Sequence, residues 1–453
     1  MTDPANDTKL DPLYSRALLA DMLAEAAELE HSLCCQYLFA AFSLKKTMAE
    51  GLTARQADKV RDWQTVLLDV ARQEMEHLGL VFNLQIAVGE APHLVRPSFP
   101  LSPKYYQTDV ISKLEKFSIK CMQRFVLFEL PDDLLPSEKQ DLKHYVGQYN
   151  SEAHQTIGAL YDGIGDLLTK ISNNGKDDDR VFIGPPGAQF KIADSAQPQQ
   201  VRRSGEQGVG TAYSINMNGV TNLKSALTTI NQIVKEGEGS VVHRKDGSVP
   251  DRRNSHFGKF LKVLKDLISE RENDPSFEPA RDVISDPITQ QPGRGNSDKL
   301  GNLITAETAH KASLAFDQAY TTLLLLLARF FGATDQGEDD SMALENAAFF
   351  PMMTMVIRPL CEIITQLPAY ANGSPGNAGP TFRFELRTAL LPHRKSAFDN
   401  IATNLDMLYR ALVDLQKPGL GNQVLNSRLE FMVENVWRIT NNFKNASGAR
   451  SLL

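Results

Sequence analysis

The chain has 453 residues, of which 42% are hydrophobic, so it can bury a sizeable apolar core without support from disulfides. Its 48 basic and 55 acidic residues give a net charge of −7. This mild acidic balance provides no electrostatic basis for binding nucleic acid or an anionic membrane surface, and we expect neither partner. At roughly 100–200 residues per domain, the length allows two or three domains.

The four cysteines match neither a paired disulfide framework nor a CxxC metal site, and two of them are adjacent. We interpret them as reduced core residues of a cytoplasmic protein. They are Cys34, Cys35, Cys121 and Cys361. The first fifteen residues contain no apolar signal-peptide core, and the most apolar run, 320–332, is shorter than the roughly 20 residues of a membrane span. We therefore predict a soluble, cytoplasmic protein.

Apolar residues spaced by three and four dominate the chain, which predicts an all-α fold. Helices are expected at about 15–46, 56–89, 110–130, 150–172, 220–237, 255–270, 303–332, 340–367, 395–416 and 425–444. Glycine-rich or polar stretches interrupt this pattern at 173–218, 239–255 and 271–300. We predict a helical domain over residues 1–270, a linker over 271–300 and a C-terminal helical domain over 301–453.

The second predicted helix carries a carboxylate and an imidazole on its inward face. This face is formed by Val60, Trp63, Leu67, Val70, Glu74, His77, Val81, Leu84 and Val88. Glu74 and His77 are one turn apart at its centre, within reach of one cation that would offset the cost of burying them. The ExxH motif alone is weak, because it recurs at Glu28–His31 and Glu307–His310, and a solvated pair is the plainer alternative.

The first predicted helix offers a second carboxylate, in the segment ELEHSLCCQYLFAAF at 28–42. Two stripes of this helix are nearly equally apolar, so periodicity does not choose between Glu28, Glu30 and His31. Pairing with neighbouring side chains is the plainer alternative. Tyr37 lies on the same stripe as Glu30, where it is either a core residue, which we favour, or a neighbour of the site.

Two further segments place Glu and His near predicted helix ends. Glu129 precedes a Leu-Pro terminator, the unfavourable end of a helix for a carboxylate, which points to a specific partner; an exposed terminal Glu is the plainer alternative. In Glu-Gly-Glu-Gly, at 236–239, glycine allows close approach of the chain to a site, and His256 begins the next helix. The plainer alternatives are a helix stop and a half-buried N-terminal histidine.

These residues together match the ligand types of a carboxylate-bridged dimetal site in a four-helix bundle. The fourth helix departs from that pattern, because Glu238 and His256 are far apart in the chain where three residues would be expected.

Several segments, taken in order, resemble ferritin-like proteins of the iminophenyl-pyruvate dimer synthase type. They are LAEAAELEHSLCCQYL, RQEMEHLGLVFNLQIAVGEAPHL, the FxxFELP segment, TIGALYDGI, IVKEGEG, SHFGKF, FDQAYTTLLLLLARFFG and AGPTF. The resemblance covers nearly the whole chain and implies a ferritin-like four-helix bundle with long insertions plus a second, C-terminal helical domain. The metal ligands that it implies are Glu30, Glu74, His77, Glu129, Glu238 and His256. It thereby selects Glu30 over Glu28.

Two features depart from the family pattern. Cys34 and Cys35 replace a pair of prolines after Leu-Glu-His, so the first helix is expected to run straighter and its pocket to hold thiols. The insertion at 239–255 is long and basic, which weakens the assignment of His256. The family takes its name from large enzymes that couple two imines of aryl-pyruvates; the resemblance covers only their ferritin-like part and does not by itself identify the substrate of this chain.

The expected function is that of a metal-dependent oxidoreductase acting on a small molecule with O2 or peroxide. Ligation by Glu and His without thiolate suits two Fe ions or, alternatively, Mn, and haem is not expected because no haem motif is present. The sequence identifies no catalytic residue. Alternatives are a non-catalytic metal-storage or scaffold protein, although the long insertions suit a storage cage poorly. A homodimer is compatible with the sequence.

Overall fold

The computed structural model describes most of the chain. The described residues are 12–96, 98–101, 110–147, 156–190, 217–239, 251–290, 301–383 and 390–453. Within these ranges the fold is helical, with isolated β-bridges and no strand, which confirms the all-α prediction.

Thirteen α-helices are found in the described residues. They are α1 (Pro12–Ser43), α2 (Ala54–Ala87), α3 (Ile119–Phe128), α4 (Pro136–Val146), α5 (Ile157–Ile171), α6 (Asp178–Val181), α7 (Leu223–Gly237), α8 (His256–Asn273), α9 (Glu307–Phe330), α10 (Glu338–Ala347), α11 (Arg358–Ile364), α12 (Arg394–Gln416) and α13 (Gln423–Ser447). A π-helical segment, Ala348–Ile357, joins α10 to α11.

Helices α1 and α2 form a long antiparallel hairpin at the centre of the N-terminal half. Thr53 caps α2 through a capping box with Gln56, in which each side chain bonds the backbone N–H of the other residue. Helix α1 continues without interruption through Cys34 and Cys35, as expected from the loss of two prolines. All four cysteines are buried and free. The cytoplasmic location that these thiols suggested stays a prediction.

Two shorter helix pairs pack against this hairpin. Helix α3 packs on α8, and α5 packs on α7, while α2 contacts both α7 and α8. The bundle therefore has four positions, of which the third (α3, α5) and the fourth (α7, α8) are each divided into two helices. The predicted helix at 110–130 begins only at Ile119, and α4 was not predicted, because its surface is largely polar.

The apolar core is divided into two clusters. Helices α5, α7 and α9–α13 contribute to one cluster, α3, α4 and α8 contribute to the other, and α1 and α2 contribute to both. On one side of the breaks in the third and fourth positions, α5 and α7 bury their apolar surfaces in the first cluster. On the other side, α3 and α8 bury theirs in the second cluster. The layer between the two clusters is available for polar side chains.

Helices α9–α13 form a second helical region that packs on α1 through α11. The boundaries 270 and 301 between two domains stay a prediction. One helix among the described residues, Glu338–Ile364, is long and apolar enough to cross a membrane, but 59% of its apolar window is buried within the protein. Helices in the core of a folded protein show the same composition.

Candidate metal centre

The six residues proposed as ligands converge at the level where the third and fourth positions of the bundle are divided. Their residual exposures lie between 0% and 2%. They are Glu30 on α1, Glu74 and His77 on α2, Glu129 after α3, Glu238 after α7, and His256 at the start of α8. Burying so many ionisable groups is costly unless they are paired or coordinate an ion.

Helix caps set the positions of the residues at the breaks. Ser255 accepts a hydrogen bond from the Gly258 N–H and so starts α8 at His256. The α3 helix ends at Phe128, with Glu129 as its terminal cap ahead of Leu-Pro. These helix ends bring side chains distant in sequence to one level of the bundle.

Glu74 lies between the two histidines. Its Oε1 is 2.8 Å from His256 Nδ1, and its Oε2 is 3.3 Å from His77 Nδ1. The two imidazole rings are stacked, with centroids 5.4 Å apart. One donor atom from each of these three residues lies within 4.8 Å of the others, a spacing that a single metal ion can bridge.

Glu30 and Glu129 each extend the cluster on one side. Glu30 Oε2 is 3.6 Å from His77 Nδ1, and Glu129 Oε2 is 3.6 Å from His256 Nδ1. The cluster therefore consists of two half-sites that share Glu74: Glu30 with His77, and Glu129 with His256.

A buried tyrosine orients the outer carboxylate of each half-site. Tyr161 Oη donates a hydrogen bond of 2.5 Å to Glu30 Oε1, and Tyr37 Oη donates one of 2.5 Å to Glu129 Oε1. Each bond leaves the second oxygen of the carboxylate for the histidine side. Tyr37 is a buried residue that packs on Phe125, but its hydrogen bond to Glu129 also makes it a neighbour of the site, the alternative that the sequence did not favour.

Glu238 lines the same cavity but is held differently. Its Oε1 accepts a hydrogen bond of 2.6 Å from the backbone N–H of Gly158, in the first turn of α5, a favourable position for a carboxylate. A Cβ at Gly158 would lie 2.5 Å from Glu238 Oε2, so this approach requires glycine. Gly237 has a similar role, because a Cβ there would lie 3.3 Å from Glu129 Oε2.

Glu236, the other carboxylate of the Glu-Gly-Glu-Gly segment, reaches the far side of an imidazole. Its Oε2 is 3.0 Å from His77 Nε2, opposite the nitrogen that faces Glu30 and Glu74. The sequence suggested that the segment approaches a site, but it did not assign this role to Glu236.

The charges of the cluster are strongly coupled. Burial and the neighbouring Glu74 raise the pKa of Glu30 to about 7, and burial raises the pKa of Glu238 well above its usual value. Burial opposes the protonation of His256, but Glu74 and Glu129 raise its pKa to about 9. Similarly, hydrogen bonds to Glu236 and Glu30 outweigh the effect of burial and raise the pKa of His77 well above its usual value. In the metal-free protein, protons therefore neutralise the cluster.

Several atoms of this cluster are better placed to coordinate an ion than to form hydrogen bonds with one another. Glu74 Oε1 and both ring nitrogens of His256 are buried without a hydrogen-bond partner among the described residues, although two of these atoms are 2.8 Å apart. Such unsatisfied buried groups call for an ion or a proton. The cavity between the helices measures about 10 Å³, room for about one water-sized particle. Oxygen and imidazole donors of this kind suit Fe or Mn.

The two adjacent thiols are not part of this donor set. Burial and its neighbours Cys35 and Glu74 raise the pKa of Cys34 well above its usual value, whereas metals bind the thiolate. Cys35 lies 3.3 Å from the hydroxyl of Tyr320 on α9, which also contacts His31. Cys35, one of the two residues that replace the prolines of the family pattern, therefore contributes to the contact between α1 and α9.

The two other ExxH motifs do not form metal sites among the described residues. Glu28 pairs with His93 at 2.9 Å, while His31 contacts Tyr320. Glu307 is exposed and pairs with Lys311, and His310 Nε2 bonds the carbonyl of Thr289. Neither motif forms the solvated Glu–His pair that was the plainer alternative, because Glu and His contact different residues in both.

Comparison with known proteins agrees with this architecture. A family model described as Ferritin-like matches residues 23–265, more than half of the chain. A dichlorochromopyrrolate synthase of Lentzea aerocolonigenes is 25% identical over 410 residues, which cover 86% of this chain and 38% of the relative. A 2-imino-3-(indol-3-yl)propanoate dimerase of Chromobacterium violaceum is 25% identical over 395 residues, which cover 83% of this chain and 34% of the relative. The chain thus spans well under half the length of both relatives.

A solved structure of a ferritin-like protein from Caulobacter vibrioides aligns at 15% identity with a TM-score of 0.39, covering 69% of this chain and 85% of that chain. A likeness at that level carries no argument about the site. The family match and the two curated relatives confirm the resemblance that the motifs indicated. The chain belongs to the ferritin-like family, and its relatives include enzymes of the imino-acid dimer synthase type.

Proposed function

We propose that this chain is a metal-dependent oxidoreductase that holds two ions of Fe, or alternatively Mn, and acts on a small molecule with O2 or peroxide. The observation that carries the proposal is the convergence of Glu74, His77 and His256, whose ligand atoms all lie within 4.8 Å of one another at the buried centre of the bundle. An ion held by these residues would offset the cost of burying them.

Each half-site would hold one ion, and Glu74 would be shared between them. Glu30 and His77 would hold the first ion, and Glu129 and His256 the second, while Glu238 remains available from the wall of the cavity. The ions would supply redox capacity and open coordination positions for the oxidant.

The residues around the ligands would orient them and exclude water. Tyr37 and Tyr161 each use one carboxylate lone pair, which fixes the rotation of Glu129 and Glu30. The cavity has room for about one water-sized particle, so holding two ions together with an oxidant requires the surrounding side chains to move apart.

The names of the two relatives suggest the first substrates to test. One is a dimerase of a 2-imino acid, and we propose small 2-imino acids as the substrate class. Joining two such molecules by a new bond, with loss of one hydrogen from each, removes two electrons and two protons. One molecule of hydrogen peroxide takes up these two electrons and two protons and is reduced to two molecules of water. The reaction therefore balances without another reductant.

Elemental analysis tests the proposal directly. The purified protein is expected to contain about two Fe or Mn ions per chain, as in dimetal carboxylate proteins. Glu74→Ala should abolish this content because both half-sites lose their shared ligand. Glu307→Ala, in the exposed ExxH motif of α9, is the matched control and should leave the content unchanged. Protein that remains metal-free after growth in metal-rich medium would refute the proposal.

A further inference from the structure

The two histidines of the cluster are held in different ways. Both direct Nδ1 toward carboxylates of the cavity: His77 toward Glu30 and Glu74, and His256 toward Glu74 and Glu129. The difference lies at Nε2, on the opposite side of each ring.

Nε2 of His77 is anchored by a carboxylate. It lies 3.0 Å from Glu236 Oε2, and the Glu236 side chain is 24% exposed, at the edge of the buried cluster. Gln232 also hydrogen-bonds the Glu236 carboxylate. Gln232 in turn accepts a hydrogen bond from Asn218, so a polar chain holds the Glu236 carboxylate in place.

Nε2 of His256, by contrast, has no hydrogen-bond partner among the residues that the structure describes. The carboxylates described beside His256 face its Nδ1, so none of them holds a proton on Nε2 when the imidazole is neutral. An ionised carboxylate only accepts hydrogen bonds, so Glu236 requires a proton on Nε2 of His77. The lone pair of the neutral His77 ring is then on Nδ1, the nitrogen that faces the cavity.

We propose that Glu236 is a positioning residue that presents His77 Nδ1 to a divalent cation and thereby makes the two half-sites unequal, with the Glu30–His77 half-site binding more tightly. This inference rests on the proposed metal site. A carboxylate on the outer nitrogen of a ligating histidine fixes its tautomer and raises its basicity, and its removal typically lowers metal affinity about 10–100-fold.

The helix geometry explains why Glu236, and not Glu238, takes this position. Glu236 is in the last turn of α7, whereas Glu238 follows the last helical residue, Gly237. Glu238 is therefore turned toward the N-terminus of α5, where Gly158 receives it.

A cobalt titration of the metal-stripped, full-length protein, followed by visible absorbance, tests the inference. The wild type should bind Co²⁺ in two resolved steps. Glu236→Gln should weaken the tighter step about 10–100-fold. Glu76→Gln is the matched control: Glu76 is a neighbouring carboxylate that pairs with Arg72 and does not contact Nε2 of His77, so its removal should leave both steps unchanged.

Two further variants identify the half-sites. His256→Ala should keep the tight step, and His77→Ala should lose it. Nitrogen-15 NMR of the Zn²⁺-loaded wild type should show His77 bound through Nδ1, with its Nε2–H in a hydrogen bond to a carboxylate, whereas Glu236→Gln should shift the Nε2 resonance. A variant that merely loosens the fold would not selectively change this resonance.

The outcomes separate the inference from the proposed function. If the wild type binds no Co²⁺, the metal site itself is refuted. If it binds two ions with equal affinity, or if Glu236→Gln titrates like the wild type, the inequality is refuted while the metal site stands.

Discussion

Helices α2 and α9 carry the same ExxH spacing in different surroundings. Glu74 and His77 lie in the middle of α2, where their residual exposures are 2% and 1% and three other helices supply partners. Glu307 begins α9, its side chain is 81% exposed, and it pairs with Lys311 of its own helix. The spacing places two side chains on one side of a helix, but only partners from other helices turn that pair into a candidate site.

The N-terminal bundle and the region of α9–α13 also differ in how they accommodate buried polar side chains. In the N-terminal bundle, divided third and fourth positions leave a polar layer within the core. In the region of α9–α13 the buried interior contributes to one continuous apolar cluster, and the buried Asp317 is satisfied by the hydroxyls of Thr289 and Thr381. The comparison predicts that matched substitutions in the two ExxH motifs have very different effects.

Replacing the histidines should give the largest contrast. His256→Ala removes a ligand of one half-site, so the metal content should fall from about two ions per chain to at most one. His310→Ala, in α9, should retain the full content because, in the part of the chain that the structure describes, His310 bonds a backbone carbonyl and no carboxylate. Inductively coupled plasma mass spectrometry measures both. Equal loss in the two variants would mean that the comparison is wrong.

Removing the metal should destabilise the N-terminal bundle. An ion present at 1,000 times its Kd stabilises the folded state by about 4 kcal/mol, so chelation should lower the Tm of the wild type by several degrees. Calorimetry with and without a chelator measures this shift. The Glu74→Ala variant is the control, and its Tm should not respond to the chelator. A wild-type Tm that is insensitive to chelation would contradict a bound structural ion.

Placing a methyl group where Glu238 approaches α5 should have a smaller effect on stability. In Gly158→Ala the new methyl group meets a buried carboxylate that cannot move freely, which should cost about 1–3 kcal/mol of the free energy of unfolding. Gly187→Ala is the matched control, because a Cβ there meets nothing within 4 Å. Urea denaturation compares the two. Equal stability of both variants would show that Glu238 is not held against Gly158.

The inward face of α2, read from the apolar spacing, was sufficient to select Glu74 and His77 as candidate ligands, because a long regular helix keeps its periodicity. Periodicity left Glu28 and Glu30 equivalent, since both stripes of α1 are buried, one against the bundle and the other against α9–α13. The choice depended on which neighbour each stripe meets. Glu30 meets His77, while Glu28 meets His93.

Other parts of the site were beyond sequence reasoning for identifiable reasons. Helical periodicity ends at Gly237, so it does not predict where Glu238 points. Glu236 lies in the last turn of α7, but periodicity alone does not predict that its side chain reaches His77 on another helix. Tyr37 and Tyr161 occupy positions that any aromatic core residue could fill, and only the placement of their hydroxyls reveals the contact with the carboxylates. The division of the third and fourth positions depends on packing between helices that are distant in sequence.

Anomalous scattering tests the central claim most directly. Data collected from crystals at the Fe and Mn absorption edges should show two peaks at one of these edges, on either side of the Glu74 carboxylate, one beside His77 and one beside His256. A map without anomalous density there, in protein purified from metal-rich medium, with Glu74 hydrogen-bonded directly to protonated histidines, would contradict the account.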